Sequence, residues 1–260
     1  MKSSICLAAM AWLMLTVAAR AAAAELSLGQ VEMVLKSGSA QSPADLAGKD
    51  LSDLDLSHVD FRNANLRGAN LFGSKLVQAD FRGAHLEGAN LNGAWLMGTD
   101  FTGAHMAGAS LLSVVVLGGT VKKMPIFRGT DLTGARMIAD LPGADLSGAD
   151  FSHARVGVDI KNQGMGQMRT DLSNANLAGV NFAGADVNRS LMSFANLKGS
   201  NLRGTNFFRA KLAGADLTGA DVTGADFTEA DLNGTLLRDV RGLAEAKGLD
   251  LADNYDKVIR

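Results

Sequence analysis

The chain has 260 residues, with 25 basic and 27 acidic side chains and a formal net charge of −2. That near balance argues against nucleic-acid binding, which wants a basic stripe, and against a strongly acidic decoy surface. Aromatics are only 5% of the residues while glycine contributes 30, which departs from a globular core of this size and favours an architecture that fills one small slot repeatedly.

Residues 1–24 read as a secretory signal peptide. Lys2 supplies a positive start, Ile5 to Ala19 are apolar or small without interruption, and Arg20 ends the run. Ala21 to Ala24 then offer a small-residue cleavage site before Glu25. The run falls short of the roughly 18 apolar residues of a membrane span; a retained anchor is the competing reading. Cleavage removes Cys6, the single cysteine, and with it disulfide and thiol chemistry. Loss of Lys2 and Arg20 leaves 23 basic residues against 27 acidic, a net charge near −4. The expected location is periplasmic or secreted, with no membrane contact after cleavage.

Residues 25–44 form a predicted N-terminal helical cap. Leu28, Val31, Val34 and Leu35 have helical spacing, Ser27 suits an N-cap, and Gly38 suits a stop.

Residues 45–237 carry a five-residue repeat. Ala64-Asn65-Leu66-Arg67-Gly68 is followed by Ala69-Asn70-Leu71-Phe72-Gly73, and the pattern is still present at Ala215-Asp216-Leu217-Thr218-Gly219. The large apolar centre and the small residue two positions earlier share one side of an extended backbone. Phe61, Phe81 and Phe101 recur every twenty residues, as do Phe207 and Phe227. Four fives per turn would stack those rings inside a four-sided coil. The register breaks near 112–126 and 157–169, and insertions into repeat arrays emerge as loops from one face. Residues 238–260 place Leu243, Ala246, Leu249, Leu251, Tyr255 and Val258 in predicted short helices, a C-terminal cap.

The Ala-(Asp/Asn)-Leu-x-x units from Asp45 to Leu237 make the chain resemble the pentapeptide-repeat family. The resemblance implies an all-β solenoid, a right-handed quadrilateral β-helix with Leu/Phe and Ala columns inside and short helical caps. The family has no common catalytic activity, so the resemblance carries a fold further than a function.

Candidate sites are few. His85 and His105 stand one coil apart, but a zinc site needs three or four convergent ligands, so stacked exposed histidines are the simpler reading. Asp216, Asp221, Asp226 and Asp231 lie on successive sides and do not converge; an Asp or Asn that bonds its local backbone is an architectural residue. No nucleophile elbow, His-Glu-x-x-His, phosphate-binding loop or Cys/His cluster is present in the sequence. No catalytic, cofactor-binding or metal-ligating residue is therefore assigned. Phe72, Val77, Trp95, Met97 and Leu112 occupy outward positions on neighbouring turns. Either the 112–126 insertion folds over them, or Phe72, Trp95, Met97 and Leu112 form a surface for a protein partner or a second copy. Leu191, Phe194 and Phe208 pose the same choice beside the 157–169 insertion. The leading functional expectation is an exported, non-enzymatic scaffold or interaction protein. The alternative is a DNA-mimic inhibitor of a topoisomerase or other DNA-binding protein; the leader sequence and the near balance of charge oppose it.

Overall fold

A computed structural model of the chain describes residues 25–39, 41–116, 123–158 and 169–260. The signal-peptide reading of residues 1–24 therefore lies outside the described residues, as do the central parts of both insertions.

The repeat folds because its five positions have separate roles. The centre and the small residue turn inward, and Phe61, Leu66, Ala64 and Ala69 are at most 2% exposed. The chain then turns a corner. At one such corner the N–H of Ala64 donates to the Phe61 carbonyl at 3.0 Å, closing a turn whose third residue, Asn63, has φ 59°. Turns of this kind require positive φ at that position, which is why Gly or Asn recurs there. Between corners the backbone pairs with the coils on either side. Leu46 N–H donates to Asn65 O at 2.7 Å, and Asn65 N–H donates to Ala44 O at 2.8 Å.

These bonds assemble four parallel ladders. The first side runs Asp45, Asn65, His85, His105, Asp131, Asp150, Asn181, Asn201, Asp221, Arg241. The second side begins at Asp50 and ends at Lys247, the third begins at Asp55, is interrupted between Val115 and Asp140 and ends at Asp253, and the fourth begins at Asp60 and ends at Ile259. Ten coils therefore stack, each advancing about 4.8 Å. Most pairings are single bridges. The described exceptions are the short strands β1 (Ser110–Leu112) and β2 (Arg136–Ile138), which pair in parallel on the second side.

The insertions leave the ladders in register. Trp95 still pairs with Val115 and Asp100 pairs with Ile126, so 112–116 continue the coil and the extra residues fall between 116 and 126. After the second insertion Asp140 pairs with Asp171. Register is kept well enough that the Phe61–Phe81–Phe101 column extends to Phe127, with ring centroids 4.6, 5.1 and 5.1 Å apart. Phe151 and Phe182 on the first side lie 5.1 Å apart with their rings tilted by 36°, and Phe207 and Phe227 stack on the second side at 5.1 Å.

The two ends close differently. Helix α1 (Leu28–Ser37) begins at Ser27, whose N–H donates to Gln30 Oε1 at 2.8 Å, a capping interaction. Val31 is fully buried on the first coil, with Val34 and Leu35 packed beside it. At the other end only two 3-10 turns, Leu249–Leu251 and Tyr255–Lys257, are helical. The ladders instead end on Arg241, Lys247, Asp253 and Ile259. The tenth coil thus has sides of six residues instead of five.

Candidate interaction surface

The polar rows explain themselves locally. Asp60 Oδ1 accepts the N–H of Arg62 at 3.1 Å, and Asp216 Oδ1 accepts that of Thr218 at 3.0 Å. Asparagines also bond between coils: Asn70 Nδ2 donates to Asp50 Oδ1 at 2.9 Å, and Asn90 Nδ2 to Asn70 Oδ1 at 3.0 Å. Hydrogen bonds of this type favour the ionised carboxylate. The Ser52 hydroxyl holds the Asp50 carboxyl below its ordinary range, Thr223 does so for Asp221, and Arg62 for Asp60. Asp140 is pushed the other way, by burial first and then by Asp171 on the next coil.

Cations answer the acids across coils. Arg67 reaches Glu87 at 3.1 Å, Lys198 reaches Asp216 at 3.1 Å, and Arg203 reaches Asp221 at 3.2 Å. These exposed pairs add little stability individually, but they neutralise part of the acidic rows, while Asp131–Asp150 and Asp140–Asp171 remain like-charged neighbours.

His85 and His105 do stack, with ring centroids 4.8 Å apart. Arg67 Nη2 lies 2.8 Å from His85 Nδ1. Glu87 Oε1 lies 3.4 Å from the same nitrogen, so Nδ1 either accepts from Arg67 or donates to Glu87 according to the tautomer. A fixed positive charge at that nitrogen opposes a metal ion. Among the described residues no group of three or more His, Cys, Asp or Glu could hold one.

Three of the outward apolar residues are open, Phe72, Trp95 and Phe194. Phe72 is 50% exposed on the second side and Trp95 is 39% exposed on the third. Trp95 belongs to the ladder Lys75–Trp95–Val115, one coil on from Phe72, so the two flank the edge between those sides. Met97 is not part of this surface. It is only 3% exposed, at the corner where the first insertion rejoins the coil and Gly98 N–H donates to Lys123 O at 2.7 Å. Leu112 is half-buried in β1, beside Ile138 of β2. Val77, Leu191 and Phe208 are also half-buried. Phe194 is 66% exposed at a corner with φ 59°, an unusual conformation for a bulky residue. Its ring lies 2.5 Å from where a Cβ on Gly214 would sit, and Gly214 itself has φ 69°, which favours glycine at that position.

One group escaped the sequence reading. Arg169, Arg189, Arg209 and Glu229 follow one another at intervals of twenty. The signal was available, but attention to the apolar centres passes over a column that begins at the end of an insertion.

The sequence profile of the pentapeptide repeats family matches residues 44–71, 64–103, 139–156, 170–207 and 205–241 in eight copies. The chain belongs to this family, and the four-sided coil is its quadrilateral β-helix, whose hand is right. Among solved structures, one similar protein is HetL, a pentapeptide repeat protein involved in heterocyst differentiation regulation from the cyanobacterium Nostoc sp. strain PCC 7120. It is 26% identical over 91% of this chain and 100% of its own, with a TM-score of 0.47. QnrB1, a plasmid-mediated fluoroquinolone resistance protein, is 21% identical over 82% of this chain and 92% of its own, with a TM-score of 0.44. A pentapeptide repeat protein of the Arabidopsis thaliana thylakoid lumen is 31% identical over 46% of this chain and 77% of its own, with a TM-score of 0.26. No curated protein sequence matches.

Proposed function

We propose that this chain is an exported, non-enzymatic interaction protein, and that the edge bearing Phe72 and Trp95 contacts a protein partner or a second copy. The observation that carries the reading is their exposure, 50% and 39%, on a rigid coil whose neighbouring outward positions are mostly polar. Large rings held in place by a backbone ladder lose little freedom on binding, and such anchors concentrate binding energy. Export rests on the residue pattern of 1–24, which has the charged start, apolar run and small-residue end of a leader. DNA mimicry would need a continuous acidic face, whereas Asp216, Asp221 and Glu87 each face a cation of a neighbouring coil.

The test is Trp95→Ala in the chain expressed with its own N-terminus. The variant is expected to keep the parent circular-dichroism spectrum and melting temperature. Its self-association in light scattering, or its capture of a crosslinked partner, should weaken by about 2 kcal/mol or more, the size of an aromatic anchor. Unchanged association with a lowered melting temperature would make Trp95 a packing residue. Fractionation of the same cells tests export, and an unprocessed cytoplasmic chain would end that part of the proposal.

A further inference from the structure

Arg169, Arg189 and Arg209 become a column on the coil. Asp171, Leu191, Lys211 and Asp231 pair in parallel register on the third side. The arginines, each two residues earlier, therefore line one edge at about 4.8 Å per coil. That edge contains a recess of about 300 Å³ lined by Arg169, Arg189, Arg209, Lys211, Glu229 and Asp253.

The charges in the recess do not cancel. Arg209 Nε holds Glu229 Oε2 at 2.6 Å, and Lys211 Nζ lies 3.6 Å from Asp231 Oδ2. Among the described residues Arg169 and Arg189 are in no ion pair, and Arg189 Nε is buried without a hydrogen-bond partner. Several cations of this coil meet a carboxylate of an adjacent coil, as in Arg67–Glu87, Lys198–Asp216 and Arg203–Asp221, although Arg136 and Arg155 also face each other on the second side. At the Arg169 end of the column each arginine meets another arginine instead. Like charges on adjacent strands repel, and a buried guanidinium N–H without an acceptor is costly.

We propose that this recess binds a small oxyanion of the phosphate class, held between the guanidiniums of Arg169 and Arg189 with Lys211 on its flank. A guanidinium presents paired donors that match two oxygens of a tetrahedral oxyanion. The six lining side chains are all charged, so the ligand is compact and polar, without an apolar body. Arg209 is occupied by Glu229 and lies over the Phe208 ring at 4.9 Å, which leaves the first two arginines as the principal donors.

Thermal unfolding and calorimetry of the whole mature chain test the site, with sodium phosphate as the probe and sodium chloride at equal ionic strength as the reference. Phosphate is expected to raise the melting temperature saturably and chloride is not. Arg189→Gln and Arg169→Gln should each weaken phosphate binding roughly tenfold or more, the scale of a lost charge-assisted hydrogen bond. Arg155→Gln, on the second side, should leave binding unchanged. Without phosphate, Arg189→Gln should melt no lower than the parent, because one of three adjacent like charges has gone. Equal responses to phosphate and chloride, or full affinity in Arg189→Gln, would overturn the proposal. Should Arg189→Gln fail to fold, Arg169→Gln, altered at an exposed position, decides by the same affinity measurement.

Discussion

Each of the five positions in a side answers a different physical demand, and substitutions should sort accordingly. Phe81 is fully buried and stacks between Phe61 and Phe101 at 4.6 and 5.1 Å. Phe81→Ala removes contacts on both ring faces and leaves a cavity that a backbone ladder on all four sides cannot close. A loss of about 3–5 kcal/mol is expected in denaturant unfolding; a loss below 1 kcal/mol would mean that the coil collapses around the gap. The carboxylates set the response to pH. Asp50, Asp60 and Asp221 are held below their ordinary range by Ser52, Arg62 and Thr223. Their contribution is present above the unfolded value of about 3.9 and is lost as pH falls through the folded values. Asp140 has the opposite sign. Partial desolvation and Asp171 raise it, so it favours the fold while protonated and that gain, small for a largely exposed residue, disappears as pH rises through its folded value. Asp140→Asn should therefore melt higher than the parent at neutral pH and converge with it in acid. A constant offset at all pH values would assign the effect to packing rather than charge.

At the scale of elements, α1 and the tenth coil close the column by different means. Val31 is the buried residue of α1 while Met33 on the same helix is 64% exposed. Val31→Asp should undock the helix, at a cost of several kcal/mol for an unpaired buried charge, and Met33→Asp should be nearly silent in thermal unfolding. Equal effects would mean that the helix does not rest on the first coil through Val31. This helix is readable in the sequence because Ser27, Gln30 and the apolar spacing all signal it. The tenth coil is harder to read. Val240, Leu243, Ala246, Leu249, Ala252, Tyr255 and Val258 recur at strict intervals of three and pack on the core. An interval of three also suits one turn of helix, and only its persistence without the drift of a 3.6-residue period separates the two. Six-residue sides with two inward residues each account for it. The surface residues divide the same way. Alternation alone places Phe72 and Trp95 outward, and they are exposed. Alternation places Met97 outward as well, yet it is buried at the corner where the first insertion rejoins the coil, which no local pattern encodes.

At the scale of the molecule the coil is one-dimensional. Each coil touches the one before and the one after, so stability is a sum of neighbouring interfaces and the ends carry the exposed edges. This also limits chemistry, since residues on successive sides point apart and only columns along one side or edge bring like positions together. Function is expected in such columns, as with the arginine column, and at edges, as with Phe72 and Trp95. The same geometry makes the last coil a necessary cover. Its backbone satisfies the previous coil: Val222 N–H donates to Arg241 O, Phe227 N–H to Lys247 O, Leu232 N–H to Asp253 O, and Leu237 N–H to Ile259 O, at 2.8–2.9 Å. Removing residues 242–260 would leave three of these donors without partners and uncover the buried Phe227 and Leu232. An open strand edge above an apolar core pairs with another chain. The truncated protein is expected to melt lower and to self-associate end to end in light scattering more than the intact chain, whose tenth coil covers Phe227 and Leu232. A truncated chain that stays monomeric and melts with the parent would show that the ninth coil is sufficient as a terminus and that the six-residue sides have another purpose.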